Sequence, residues 1–411
     1  MRNVRDYAVI TGSYWAFTVT DGALRMLVLL HLHEIGYSPI EIVSLFLFYE
    51  FFGIVTNLLG GLLAARFGLK STLFSGLFLQ ILACSMLAAA RHDLTVALLM
   101  VAQALSGTAK DLTKMSAKSY IKLVVPEDDR RGLMKWVSVL TGSKNALKGA
   151  GFFAGGAMLS AFGFGGACVA MAVGLGVALA LTSALLPRAA GKSKSKAAWK
   201  HLFAKDARIN WLSAARLFVF GSRDVWFVLA LPVFLASGLE WSSYEVGAFL
   251  ALWVIGYGAV QATSPAWLSR KVREPPTARD LGTWTALLVV PLVAILFALR
   301  LDVSTSWSIV VGLCIFGVVF AANSATHSYL VVAYSDRDKV ALNVGFYYMA
   351  NATGRLLGTV LSGVVFQAAG SGLDGLKACI AVSIGFVVAS TVCCVPLRLA
   401  ERHSMQTTAG S

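Results

Sequence analysis

Residues 149–187 read G-A-G-F-F-A-G-G-A-M-L-S-A-F-G-F-G-G-A-C-V-A-M-A-V-G-L-G-V-A-L-A-L-T-S-A-L-L-P and contain no charged side chain. A helix needs ~20 apolar residues to cross a bilayer, so this run holds more than one crossing. The same pattern recurs. Charge-free runs occupy 71–90, 281–299, 303–326 and 378–397. The whole chain is 57% hydrophobic and 14% charged, whereas a soluble domain carries about 25% charged residues. That deficit excludes an ordinary soluble enzyme. The chain is a polytopic, all-α membrane protein.

Working outward from 149–187, apolar runs and breakers predict twelve transmembrane helices. They cover about 7–32, 39–65, 71–91, 94–121, 133–161, 164–187, 209–236, 243–268, 281–299, 306–334, 340–369 and 376–397. Lysine and arginine fix the orientation. With the N-terminus inside, the outer loops hold only Arg91, Arg300 and Lys377. The inner loops hold Arg2, Arg5, Arg66, Lys70, Arg130, Arg131 and the cluster Arg188, Lys192, Lys194, Lys196, Lys200, Lys205 and Arg208, among others. This asymmetry should place both termini in the cytoplasm, and the expected location is the inner (plasma) membrane. The expected organisation is a six-helix bundle over 1–187, a basic cytoplasmic linker over 188–208, a second bundle over 209–397 and a cytoplasmic tail over 398–411. The N-terminus M-R-N-V-R-D runs straight into the first span, so no cleavable leader is expected.

The net charge of +14 is explained by this topology and by the membrane cavity, and nucleic-acid binding is not expected. Six cysteines are scattered through apolar segments without metal-like spacing, and read as small buried hydrophobes. No metal and no cofactor is expected.

The two halves repeat one another. S-P-I-E-I at 38–42 returns as S-S-Y-E-V at 242–246, and Asn57 and Arg66 return as Gln261 and Arg270. K-S-Y-I at 118–121 returns as H-S-Y-L at 327–330, and A-C-V-A-M-A-V-G at 167–174 as A-C-I-A-V-S-I-G at 378–385. Tandem repeats of this kind build midplane binding sites in secondary transporters.

Twelve spans, a six-plus-six repeat and a basic central loop resemble the major facilitator superfamily. G-L-L-A-A-R-F-G-L-K at 61–70 is similar to that family's G-x-L-A-D-R-F-G-R-K loop, with Ala65 at the usual aspartate and Leu69 at a basic position. At closer range the chain resembles the ArsJ-type organoarsenical exporters. That resemblance rests on Y-A-V-I-T-G-S-Y-W-A-F-T-V-T-D-G-A-L-R-M-L-V-L-L-H (7–31), F-L-F-Y-E-F-F-G-I-V-T-N-L-L-G-G (46–61), K-D-L-T-K-M-S-A-K-S (110–119) and L-T-G-S-K-N-A-L-K-G (140–149). The resemblance implies efflux of 1-arseno-3-phosphoglycerate, and a functional partner, a glyceraldehyde-3-phosphate dehydrogenase, that makes this ester from arsenate.

Charge inside the membrane points to a site independently. Arg25, Lys110, Lys114, Lys118, Lys135, Lys144, Lys148, Arg216, Arg223 and Arg355 lie within spans, against Asp21, Glu50, Asp111 and Asp224. A charge at the bilayer centre costs ~2.5–3.5 kcal/mol even on insertion scales, so these groups should face the protein interior or a watery cavity. Lys110, Lys114 and Lys118 recur every four residues and share one helix face. Aligning K-N-A-L-K-G-A-G (144–151) with N-A-T-G-R-L-L-G (351–358) sets Lys148 opposite Arg355 in the repeat.

The candidate substrate ligands are therefore Lys110, Lys114, Lys144, Lys148, Arg223, Arg355 and Arg25, since oxyanions favour the guanidinium fork and the ammonium point charge. Asn145, Asn351 and His327 join them as polar partners. An internal ion-pair network is the competing reading for the cations, and Arg25 could pair with Asp21 four residues before it. Arg223 and Asp224 are adjacent, and adjacent helical residues do not face one another. Lys118 and Lys135 lie near the cytoplasmic side, where snorkelling is the expected role. Glu50, Asp21 and Asp224 are the candidates for proton coupling, because a desolvated carboxylate titrates nearer neutral pH. Tyr14, Trp15, Tyr49, Phe51 and Phe52 read as packing.

The expectation is a monomeric, non-enzymatic exporter of an anionic small molecule, working by alternating access in the lipid bilayer. The alternative is an organic phosphate:phosphate antiporter or another small-anion transporter. Proton antiport and exchange for phosphate both remain open as energy sources.

Overall fold

Long apolar runs can cross a bilayer only with every backbone group paired internally, and helices do this within one segment. The computed structural model describes residues 2–34, 39–90, 94–126, 128–186, 206–271, 275–301 and 303–409. Among them there is helix and no strand. The elements are α1 (Arg2–Glu34), α2 (Pro39–Phe67), α3 (Leu69–Ala89), α4 (Val96–Val124), α5 (Arg130–Leu185), α6 (Ala207–Phe227), α7 (Ala230–Gly238), α8 (Ser243–Lys271), α9 (Ala278–Leu287), α10 (Val289–Arg300), α11 (Thr305–Ala333), α12 (Val340–Ala368) and α13 (Leu373–Ala409).

These thirteen helices make twelve crossings. α5 counts twice, because Gly163 interrupts it at φ 66° and ψ 177°. That conformation belongs essentially to glycine. The break falls within the charge-free run and divides it into two antiparallel spans. No atom outside its own turn lies within 4 Å of where a Cβ would stand, so a side chain there meets backbone strain and no clash. Gly163→Ala is expected to cost ~1–3 kcal/mol. Gly174→Ala has the same open surroundings without the positive φ and should be neutral or slightly stabilising. Thermal unfolding of the two purified variants checks the pair.

Two other crossings are each built from two helices. α6 and α7 form one span broken at 228–229, and α9 and α10 form another broken at Leu288. A proline follows each break by three residues. Pro232 and Pro291 cannot donate to the carbonyls of Val228 and Leu287, four residues earlier, and their rings crowd those carbonyls. At the first break, the amide of Ala230 donates to Ser362 Oγ at 3.1 Å.

The chain forms two compact units. Unit 1 is Met1–Phe203 with Ser335–Met349, and unit 2 is Ala204–Tyr334 with Ala350–Ser411. Unit 1 therefore includes the start of α12. Its apolar core joins Leu24 and Leu27 of α1 to Leu87, Leu99, Phe164 and Met171. The core of unit 2 is aromatic: Trp226, Trp253, Tyr257, Phe316 and Phe320 pack with Leu292 and Ile295. Its helices are also tied by hydroxyls, with Ser383 donating to the Ser222 carbonyl at 2.7 Å and Ser390 to that of Ala215 at 2.8 Å. Large apolar side chains such as Phe78, Phe297, Trp307 and Val392 are exposed, as lipid-facing residues of a multi-pass membrane protein are.

The side chain of Glu50 and residues 188–205 of the basic linker lie outside the described residues.

Candidate functional site

The charged residues sort into a lysine site in unit 1 and an arginine site in unit 2. In unit 1, α4 carries the predicted stripe. Asp111 sits between two of its members: Lys114 Nζ is 2.5 Å from Oδ1, and Lys110 Nζ is 4.0 Å from Oδ2. Lys114 also lies 4.0 Å above the Tyr348 ring centroid, a cation–π contact that fixes the ammonium.

Lys118 differs from its expected snorkelling role. It is 1% exposed, and its ammonium donates to Tyr348 Oη at 3.1 Å. Depth counted along one helix could not reveal this, because Tyr348 comes from α12. Lys144 of α5 meets the other two. Lys114, Lys118, Lys144, Tyr14, Leu140, Thr141 and Tyr348 line one pocket. Tyr14, read as packing, thus stands beside the lysines.

Lys148 is held elsewhere in the unit. Its ammonium is 3.0 Å from Asp21 Oδ2, so the cross-helix lysine is a close partner of Asp21, beyond the Arg25 suggested by spacing. Arg25 and Asn145 are half-buried on α1 and α5. Glycines bring these two helices together. A Cβ on Gly22 would stand 2.6 Å from the Lys148 carbonyl oxygen, and one on Gly151 2.5 Å from that of Val19.

Unit 2 repeats this device with arginines. Asp224 of α6 is fully buried and receives Arg355 Nε of α12 at 3.0 Å. Arg223 also reaches Asp224, with Nη2 2.5 Å from Oδ1. The rule that adjacent residues diverge concerns their Cβ directions, and the long arginine side chain bends back across that gap. Gly354 and Gly358 let α12 approach α6 here, as Gly22 and Gly151 do in unit 1. Lys148 and Arg355, aligned in the repeat, therefore each have a carboxylate of their own unit.

Arg216 is a residue that charge counting found but did not rank. It is 3% exposed. Its Nε donates to Asn351 Oδ1 at 2.8 Å and its Nη1 to Ser324 Oγ at 3.1 Å. Gln261 donates to the same serine at 3.3 Å. Asn351 thus presents its oxygen to Arg216, which leaves its amide as the donor end. The guanidinium lies 3.8 Å from the Phe220 centroid, and Arg223 lies 4.8 Å from the same ring. His327 is fully buried on α11, one turn after Asn323, which donates to Thr285 Oγ1 at 2.7 Å.

Among the described residues, no group of His, Cys, Asp and Glu is placed to hold a metal. The pocket of unit 1 brings three lysines and Tyr348 together, with Asp111 beside Lys114.

Residues 10–359 match the Major Facilitator Superfamily. The chain belongs to that superfamily. This major facilitator protein is a membrane transporter. No curated protein sequence matches it. It is similar in structure to a bacterial homologue of the iron transporter ferroportin in an outward-facing state, with a TM-score of 0.73 and 12% identity over 95% of this chain and 99% of that one. The Escherichia coli fucose:proton symporter matches with a TM-score of 0.71 and 13% identity, over 97% and 99%. The human organic anion transporter TETRAN matches with a TM-score of 0.69 and 14% identity, over 95% and 98%. At such identities the likeness is one of fold, the twelve-helix major facilitator fold of two six-helix halves.

Proposed function

We propose that this transporter exports a small, multiply charged organic anion, and that its cargo is 1-arseno-3-phosphoglycerate. The observation that carries the anion reading is the meeting of Lys114, Lys118 and Lys144 in one pocket. A buried cluster of ammonium groups favours a ligand that brings several negative charges. TETRAN, described as an organic anion transporter, puts such a cargo within the reach of this fold. The choice of an arsenate ester rests on the long sequence runs at 7–31, 46–61, 110–119 and 140–149. In this reading a glyceraldehyde-3-phosphate dehydrogenase supplies the ester. The transporter sits in the inner membrane with both termini cytoplasmic and confers arsenate resistance. Asp21 and Asp224, with Glu50, are the carboxylates proposed to couple export to protons.

Arsenate resistance of an arsenic-sensitive bacterium tests this. Cells express the transporter with and without an ester-forming glyceraldehyde-3-phosphate dehydrogenase. Resistance should need both proteins, arsenic should leave the cells, and Lys144→Gln should abolish resistance at normal membrane abundance. Well-expressed transporter that gives no resistance beside an active dehydrogenase would sink the arsenic cargo. Phosphate-driven uptake of a phosphorylated acid would then favour an organic phosphate:phosphate antiporter.

A further inference from the structure

The lining of the pocket on α4 is mostly hydrogen-bond donors, the set that one charged end of an organic ester would need. The donors around it are arranged on several helices: Lys114 and Lys118 on α4, Lys144 on α5, and Tyr348 on α12. Lys118, Lys114, Tyr348 and Tyr14 are each less than a tenth exposed.

Their hydrogen bonding has a direction. An ammonium carries donors and no acceptor. Lys118 therefore donates to Tyr348 Oη, and the tyrosine's own proton must point away from Lys118. Contact with the cation polarises that O–H and strengthens it as a donor. Thr141 is different. Its hydroxyl proton is used on the Val137 carbonyl at 2.7 Å, so it offers the pocket only lone pairs, and Leu140 offers an apolar wall. Lys114 is held by Asp111 at 2.5 Å, and with Lys118, Lys144 and the polarised phenol it places donors from three helices around the pocket. A tetrahedral oxyanion presents oxygens in several directions, whereas a carboxylate presents two in one plane.

We propose that this pocket is a subsite for a single tetrahedral oxyanion group, that Lys118 and Tyr348 bind it directly beside Lys114 and Lys144, and that free inorganic phosphate or arsenate occupies it alone. This rests on the anion-transport reading above and adds to it. It brings in Lys118 and Tyr348 and assigns the pocket to one end of the cargo. It also implies that inorganic phosphate competes with the transported ester.

The test uses the full-length protein purified in a detergent without phosphate groups, so that lipid headgroups do not supply the ligand. Thermal unfolding is followed against inorganic phosphate, arsenate and acetate at constant ionic strength. Phosphate and arsenate should raise the unfolding midpoint saturably, and acetate should not. Tyr348→Phe keeps the ring above which Lys114 sits and removes the hydroxyl, and should weaken apparent phosphate affinity by about tenfold or more, the scale of a hydrogen bond to a charged group. Lys118→Gln should abolish the effect. Lys135→Gln removes an exposed lysine outside the pocket and should leave the protection unchanged. Should Lys118→Gln fail to fold, Tyr348→Phe still decides.

Absence of phosphate protection in the wild-type protein would overturn the subsite. So would equal protection in wild type, Tyr348→Phe and Lys118→Gln, or equal protection by acetate. Failure of the export reading looks different: phosphate would bind with the expected variant pattern, while cells with both proteins would remain arsenate-sensitive.

Discussion

Asp224→Asn is expected to remove most of the folded transporter from the membrane. Asp224 is fully buried, and two guanidiniums converge on it, Arg223 at 2.5 Å and Arg355 at 3.0 Å. The asparagine keeps the shape and loses the charge, so both arginines lose their carboxylate in the protein interior. Removing one partner of a buried ion pair costs about 3–5 kcal/mol, a large share of a total stability of about 5–15 kcal/mol. The measurement is membrane abundance with the unfolding midpoint of whatever protein can be purified. Adding Arg355→Gln to Asp224→Asn should recover part of the loss, because fewer charges remain uncompensated. The double-mutant cycle then gives the coupling between the two residues. A protein that accumulates normally and has lost only transport would leave Asp224 its proposed coupling role and remove the structural one.

That pair shows how far the sequence could be read. Hydropathy was enough for twelve crossings, because the bilayer imposes a length on each. The breaks at 228–229 and 288 each precede a proline by three residues, Pro232 and Pro291, but proline alone does not mark a break, since Pro265 and Pro396 lie inside continuous helices. The α4 stripe followed from helical periodicity alone. Its partners did not. Lys118 meets Tyr348 across 230 residues, and Lys148 meets Asp21 across 127. No local spacing encodes such contacts. The repeat did carry a usable signal: Lys148 and Arg355 align, and each has an aspartate from the first helix of its own half, Asp21 or Asp224. Had the aspartates been aligned as well as the cations, both clamps would have been legible. Arg216 was not, since its hydrogen-bonding partners, Asn351 and Ser324, come from α12 and α11.

The glycines beside these clamps lead to the second large effect. Gly354→Ala adds only one methyl group, yet it should destabilise the protein severely. The new Cβ would stand 2.0 Å from the Leu217 carbonyl oxygen, 2.7 Å from its carbon and 2.9 Å from the Leu217 Cα. All three are backbone atoms of α6, so no rotamer change relieves the clash. Real Cβ atoms essentially never approach closer than 3.0 Å, and the helices must part by about an ångström. Overpacking typically costs ~1–3 kcal/mol where side chains can adjust, and here they cannot. The separation would also draw Arg355, the next residue, away from Asp224. Gly363 lies further along α12 with nothing within 4 Å of its Cβ position. Gly363→Ala should therefore be neutral or slightly stabilising through helix propensity. The two alanines share a helix and a chemistry and differ in what they meet. A fall in unfolding midpoint confined to Gly354→Ala would tie the clamp's stability to backbone approach. Equal midpoints would mean that α6 and α12 separate freely, and that the ion pair tolerates a gap which its 3.0 Å geometry does not suggest.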